Sequence, residues 1–91
     1  MSEEHIRRGE QAARVLGEKV VQEAIKGILD EIESQWLATP ARDAEAREWL
    51  WRHAVVAKKF EQTLKQYIET GKFEAHKEKQ TLTDRIQRLV A

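Results

Sequence analysis

The chain has 91 residues, with sixteen basic residues against sixteen acidic ones and therefore no net charge. This length predicts one small domain, residues 1–91, near the size at which a single hydrophobic core is only just sufficient. Neutrality argues against a protein built mainly to neutralise phosphates. The lack of cysteine excludes disulfides and thiolate metal sites, and it favours either a reducing compartment or a source of stability other than disulfides. The cytoplasm is the expected location. We expect no membrane span, because no run approaches the roughly 20 apolar residues that one requires.

The first predicted element is a long helix over about residues 3–37, with Ser2 as its N-cap. One apolar row follows helical spacing through Ile6, Ala13, Leu16, Val20, Ala24, Ile28 and Ile32. A second row, Val21, Ile25 and Leu29, widens the apolar face in the middle of the helix. A face this wide is more than one neighbouring helix covers. We therefore expect the middle of the first helix to contact two neighbours.

Three glycines interrupt this helical pattern, Gly9, Gly17 and Gly27, and each costs about 1 kcal/mol relative to alanine in a helix interior. Two interpretations stay open. In one, small residues such as Ala13 and Gly17 allow another helix to approach closely. In the other, the glycines are simply tolerated, or the helix breaks near Gly9.

Residues 38–43 form the predicted turn, because Thr39 precedes Pro40 and is biased away from helix. A second helix follows over about residues 44–70, with either Asp43 or Thr39 as its N-cap. Gly71 is the expected left-handed residue that ends it. A connection this short predicts that the two helices are antiparallel neighbours.

The second helix carries a heptad row, a set of residues that recur at alternating steps of four and three: Ala46, Leu50, His53, Ala57, Phe60, Leu64 and Tyr67. This spacing places them on one helix face and predicts helix pairing. Because His53 lies within the row, we interpret it as a core or subunit-interface residue and not as a metal ligand or base.

The segment 71–91 is the predicted tail, with a short helix over about residues 82–90 that begins at a Thr81 cap. Its basic residues exceed its acidic ones by two, which is a weak indication of an anionic partner. The basic side chains of the tail are Lys72, Lys77, Lys79, Arg85 and Arg88. Acidic residues alternate with them, so nucleic-acid binding is the less favoured interpretation.

The sequence carries no pattern typical of catalysis. The three histidines lack the spacing of three or four residues that a helical metal pair needs, and no phosphate-binding loop is present. We expect no enzyme activity, no cofactor and no metal.

The three tryptophans, by contrast, favour protein binding, since aromatic residues away from an intramolecular contact are enriched at interfaces. The predicted interface residues are Trp49, Trp51, Val55, Ile25, Leu29 and Trp36. The alternative is that the tryptophans close the end of the helix pair together.

The string TPARDAEAREWLW, residues 39–51, with IETGK at 68–72, resembles a group of small uncharacterised helical proteins encoded in tailed-phage and prophage genomes. In that group a helix ending in Trp is followed by a Thr-Pro-Ala-Arg-Asp turn and a second helix that ends at Thr-Gly-Lys. The resemblance covers about the middle 40 residues. It implies a phage origin, a location in the bacterial cytoplasm or the virion, and an accessory part alongside head or packaging proteins.

We therefore predict an all-α protein, a long antiparallel helical hairpin with a short C-terminal helix or flexible tail. A two-helix rod buries little surface, so a homo-oligomer is expected, most simply a dimer that forms a helical bundle. The predicted function is that of a phage structural or adaptor protein acting through helix-face contacts. The alternative is a small regulator that binds a host protein or nucleic acid through its basic tail.

Overall fold

The protein is all-helical in a computed structural model that describes residues 2–90. Helix α1 spans Ser2–Gly17, α2 spans Lys19–Ala38 and α3 spans Ala44–Val90. Contacts divide the described residues into two compact units. The central unit comprises residues 15–63, and the terminal unit comprises residues 2–14 with 64–90. No helix within residues 2–90 has the length and apolar content needed to cross a membrane.

The predicted single helix over residues 3–37 is wrong, because Glu18 interrupts it with an extended backbone at φ −71° and ψ 124°. The break follows Gly17, whose low helix propensity weakens the last turn of α1. The side-chain amide of Gln22 then donates to the Leu16 carbonyl oxygen at 2.6 Å, replacing a helical donor that the break removes. The break anticipated near Gly9 is likewise wrong, since α1 is continuous there.

The connection between α2 and α3 covers residues 39–43, and its hydrogen bonds decide between the two predicted caps. Asp43 is the N-cap of α3, because its Oδ1 accepts from the Ala46 backbone N–H at 3.2 Å. Thr39 instead closes α2. Its hydroxyl donates to the Gln35 carbonyl oxygen at 2.6 Å, and its backbone N–H donates to the Trp36 carbonyl oxygen at 3.1 Å.

Helix α3 continues through Gly71 to Val90, so the predicted helix end at residue 70 and the separate helix over 82–90 are both wrong. No glycine in the described chain has positive φ, and the left-handed cap at Gly71 does not form. The Thr81 hydroxyl donates to the Lys77 carbonyl oxygen at 3.0 Å, as in a helix interior. Gly71 is buried against Gly9, which gives the glycine a packing role in place of the predicted cap.

In the terminal unit α1 and the C-terminal part of α3 run antiparallel. The Ser2 hydroxyl donates to Glu78 Oε1 at 2.6 Å, and further along Gly9 faces Gly71. A Cβ added at Gly9 would lie 2.8 Å from the Tyr67 carbonyl oxygen and 3.0 Å from the Gly71 Cα. Gly9 and Gly71 thus let two helix backbones come into direct contact. The sequence had suggested such a close approach at Gly17, where an added Cβ would meet nothing within 4 Å.

Few apolar side chains are buried in either unit. The buried hydrophobic residues are Ala12 in the terminal unit, and Ile25 and Leu50 in the central unit. Within the predicted heptad row, Leu50 is 3% exposed, whereas His53 and Phe60 are exposed. At 100° per residue, His53 and Phe60 lie about 60° and 80° around the α3 axis from Leu50, so both face away from the centre of the contact, whereas Ala57, about 20° away, stays half-buried.

Candidate functional site

The central unit presents two apolar grooves, one on each side of the line where α2 meets α3. Leu50 points between the two helices and is almost completely buried. Trp49 and Trp51 lie about 100° before and after it around the α3 axis, because a helix turns about 100° per residue. The two indole rings therefore emerge on opposite sides of the helix pair.

The Trp49 groove is an open concavity of about 490 Å³ between α2 and α3. Its lining residues are Ile28, Glu31, Ile32, Gln35, Trp49, Arg52, His53, Val56 and Ala57. Three apolar side chains in it are at least half exposed, namely Ile28 at 50%, Trp49 at 55% and Val56 at 67%. Such contiguous exposed apolar surface is typical of a site for protein binding.

Two neighbouring side chains of α3 order the surface of the Trp49 groove. The His53 ring packs on the Trp49 ring with centroids 3.9 Å apart and planes tilted by 36°. Nδ1 of His53 donates to the Trp49 carbonyl oxygen at 2.8 Å. This bond fixes the imidazole against the indole, so both rings are held in one orientation without burial. The core interpretation of His53 is therefore wrong, and the subunit-interface interpretation stays a prediction.

The two edges of the Trp49 groove differ in charge. On the α2 edge, Glu31 accepts a hydrogen bond from the Gln35 side-chain amide at 3.3 Å. On the α3 edge, the Arg52 guanidinium pairs with Glu48 at 2.8 Å. Both pairs are exposed and each contributes at most a few tenths of a kcal/mol to the helix that carries it. The groove thus has an acidic α2 edge, and its α3 edge carries an arginine that already pairs with Glu48 on the same helix.

The Trp51 groove, of about 420 Å³, lies on the other side of the same two helices. Its lining residues are Leu29, Ile32, Glu33, Trp36, Leu50, Trp51, Ala54 and Lys58. Trp51 is 60% exposed, whereas Trp36 is half-buried beneath the Arg47 guanidinium, whose carbon lies 4.6 Å from the ring centroid. Arg47 also donates to the carbonyl oxygens of Thr39 and Pro40, at 3.1 and 3.3 Å.

The structure distributes the predicted interface residues over three environments. Trp49 lies in one groove, and Trp51, Leu29 and Trp36 lie in the other. Val55 is 43% exposed and lines neither of these grooves. Ile25 is 8% exposed and belongs to the core of the central unit, which leaves it little surface to offer a partner.

Sequence reasoning missed Val56 and Arg47 as surface-forming residues. Val56 could have been found from a second row, since Trp49, His53, Val56 and Phe60 also recur at steps of four and three. Arg47 left no such signal, because an arginine in the first turn of a helix is ordinarily a solvated side chain.

The ion pairs found among the described residues join exposed side chains three or four positions apart on single helices. Lys26 Nζ lies 2.9 Å from Asp30 Oδ2, and this hydrogen bond and charge raise the pKa of Lys26 above its usual value. Near the C-terminal end, Lys77 and Arg85 share a surface with Glu74 and Glu78, so the basic tail is not a uniformly positive face. No three His, Cys, Asp or Glu side chains within residues 2–90 are grouped to hold a metal ion.

Comparison of the chain with protein-family models, with curated proteins and with solved structures found no match.

Proposed function

We propose that this chain is a non-enzymatic structural or adaptor protein that acts by laying its helix faces against those of other helices. The observation that carries this proposal is the exposed apolar surface on both sides of the central unit. Trp49 and Trp51, which emerge on opposite sides, are each more than half exposed. Aromatic side chains of this kind are the residues most enriched in the energetically important parts of protein interfaces.

The polar groups around the Trp49 groove support binding over chemistry. Arg52 pairs with Glu48, Gln35 with Glu31, and His53 Nδ1 with a backbone carbonyl oxygen. Each of these contacts stabilises the helix that carries it. A catalytic group, by contrast, is directed at a position that a reacting atom would occupy.

The resemblance in the middle of the chain supports a phage origin and an accessory part in virion assembly or DNA packaging. On this proposal the partners are a second copy of the chain and a head or packaging protein. The protein works in the cytoplasm of the bacterial host and then in the particle. It requires no cofactor, because helix-face contacts alone perform its task.

Quantitative mass spectrometry of purified particles of the encoding phage tests the proposal. A structural part is expected at constant copy number per particle through successive purification steps. Its loss during purification, with synthesis early in infection, would contradict the virion role. A gel shift with DNA in low salt that disappears in high salt would support the regulator instead.

A photo-reactive residue at position 51 tests the helix-face contact directly. We expect it to crosslink to a head or packaging protein. The same residue at position 20 is the matched control, because Val20 is 69% exposed and lines neither groove. Equal labelling from both positions, with no discrete product, would contradict contacts through this face.

A further inference from the structure

We infer that the Trp49 groove is covered by the same groove of a second copy of this chain. The two copies are related by a two-fold axis that runs along the helices, so that Glu31 of one copy faces the partner's Arg52. This inference rests on the proposed function, in which the chain acts through helix faces, and it names the partner, the face and the register.

The apolar part of the groove provides the driving force for this pairing. Ile28 on α2 and Trp49 and Val56 on α3 are each at least half exposed, and they flank the half-buried Ile32 and Ala57. Covering them with the same set of side chains removes apolar surface from water on both copies at once. The result is a four-helix arrangement with side chains from both copies in its centre.

The register follows from the position of Glu31 relative to Arg52. The Arg47 guanidinium lies over the Trp36 ring, so these two residues are at the same height in the antiparallel α2–α3 pair. Glu31 lies five residues before Trp36, and Arg52 lies five residues after Arg47. The two charges therefore stand at the same height on opposite edges of the groove, with the groove between them.

The direction of the two-fold axis follows from these charges. An axis along the helices places α2 of one copy opposite α3 of the other at equal height, so each Glu31 meets an arginine. An axis across the helices at this height places α2 opposite α2 and α3 opposite α3, so that like charges face each other. Opposite charges across an interface fix its register, and like charges disfavour the alternative.

The Trp51 groove lacks this self-complementarity. Its acidic residue on α2 is Glu33 and its basic residue on α3 is Lys58. By the register that Trp36 and Arg47 define, these two charges differ in height by eight residues, about 12 Å at 1.5 Å per residue. The same two-fold operation would leave both unpaired, so this side of the central unit stays available for a different partner.

Sedimentation velocity over a hundredfold concentration range tests the inference, with Val56→Asp and Val55→Asp as matched variants. The wild-type chain and V55D are expected to be dimers and V56D a monomer with unchanged helical circular dichroism. The two residues are adjacent and both exposed, so each monomer tolerates the new carboxylate. A dimeric V56D, or a V55D that alone loses the dimer, would overturn the inference.

Disulfide trapping tests the register, because the chain has no cysteine of its own. Glu31→Cys and Arg52→Cys variants are mixed and oxidised. Facing residues are expected to give a crosslinked heterodimer in at least tenfold excess over either homodimer. A disulfide requires Cα atoms within about 7 Å, so dominant crosslinking of E31C to itself would overturn the axis along the helices.

The two proposals fail separately in these experiments. A wild-type chain that sediments as a monomer throughout overturns the self-pairing. It leaves the proposed function intact if the protein is retained at constant copy number in purified particles. A chain that sediments as a dimer but is absent from purified particles would support the self-pairing and contradict the proposed virion role.

Discussion

Gly9 and Gly71 allow two helices to meet at backbone distance in the terminal unit. A Cβ at Gly71 would lie 3.1 Å from both the Gly9 Cα and the His5 carbonyl oxygen. These are backbone atoms, which cannot move aside as the end of a flexible side chain can. A glycine in a helix interior costs about 1 kcal/mol in propensity, and here that cost is offset by the close packing that it permits.

The substitution Gly9→Ala is expected to destabilise the protein by about 1–3 kcal/mol, because its Cβ would force α1 away from α3. The matched control is Gly27→Ala, since a Cβ at Gly27 meets nothing within 4 Å. This control is expected to stabilise the protein by up to about 1 kcal/mol through helix propensity. Urea unfolding of both variants measures the difference. A Gly9→Ala variant as stable as the control would show that the helices are not in contact at this point.

Among the elements, the connection at residues 39–43 is joined to both flanking helices by the side chain of Arg47. Asp43 caps α3, and Arg47, one turn into that helix, reaches back to the Thr39 and Pro40 carbonyl oxygens while covering the Trp36 ring. One guanidinium thus joins the end of α2, the turn and the start of α3. Its planar fork makes two hydrogen bonds and a stacking contact together, which an ammonium group cannot reproduce.

Replacing Arg47 by lysine is expected to reduce the free energy of unfolding by about 1–2 kcal/mol, because charge-assisted hydrogen bonds and a cation–π contact are lost. Hydrogen exchange of the Thr39 and Asp43 amides is expected to accelerate before the rest of α3 is affected. Arg52→Lys is the matched control, because within its own chain Arg52 makes only an exposed pair with Glu48, and lysine keeps the positive charge that is proposed to face the partner's Glu31. Equal effects of the two substitutions would contradict a specific role for Arg47.

At the scale of the whole molecule, the chain combines zero net charge with few buried apolar side chains. The described residues bury three hydrophobic side chains and leave fourteen large ones exposed. The ion pairs found between exposed residues of single helices contribute little to stability. The described residues therefore leave most of their large apolar side chains uncovered, and the proposed pairing with a second copy would cover part of this surface.

Thermal unfolding should accordingly depend on protein concentration. For a dimer of 91-residue chains unfolding at about 0.7 kcal/mol per residue, Tm is expected to rise by roughly 4 °C for each tenfold increase in concentration. Calorimetry over two decades of concentration measures this slope. The Val56→Asp variant should show none, and a wild-type Tm that is equally independent of concentration would argue against coupled folding and association.

The helical class and the connection were predictable because they depend on local physics. Apolar spacing near 3.6 residues indicates helix, Thr39-Pro40 ends one helix, and a carboxylate at residue 43 caps the next. Two of the predicted interface residues, Trp49 and Trp51, line grooves for a related reason. Because a helix turns about 100° per residue, the residues before and after the buried Leu50 must lie on either side of the contact with the partner helix.

The sequence by itself determined that this chain is helical and where its main turn lies, since neighbouring residues control propensity, capping and turn formation. Only the tertiary structure decided the role of the glycines. Gly71 follows a helical pattern and is followed by a charged segment, which indicates a helix end locally. The backbone of α1 packing against it makes the glycine a contact point inside α3. Gly9 and Gly71 are 62 positions apart, and a local sequence pattern does not show which distant residue will pack against a given helix face.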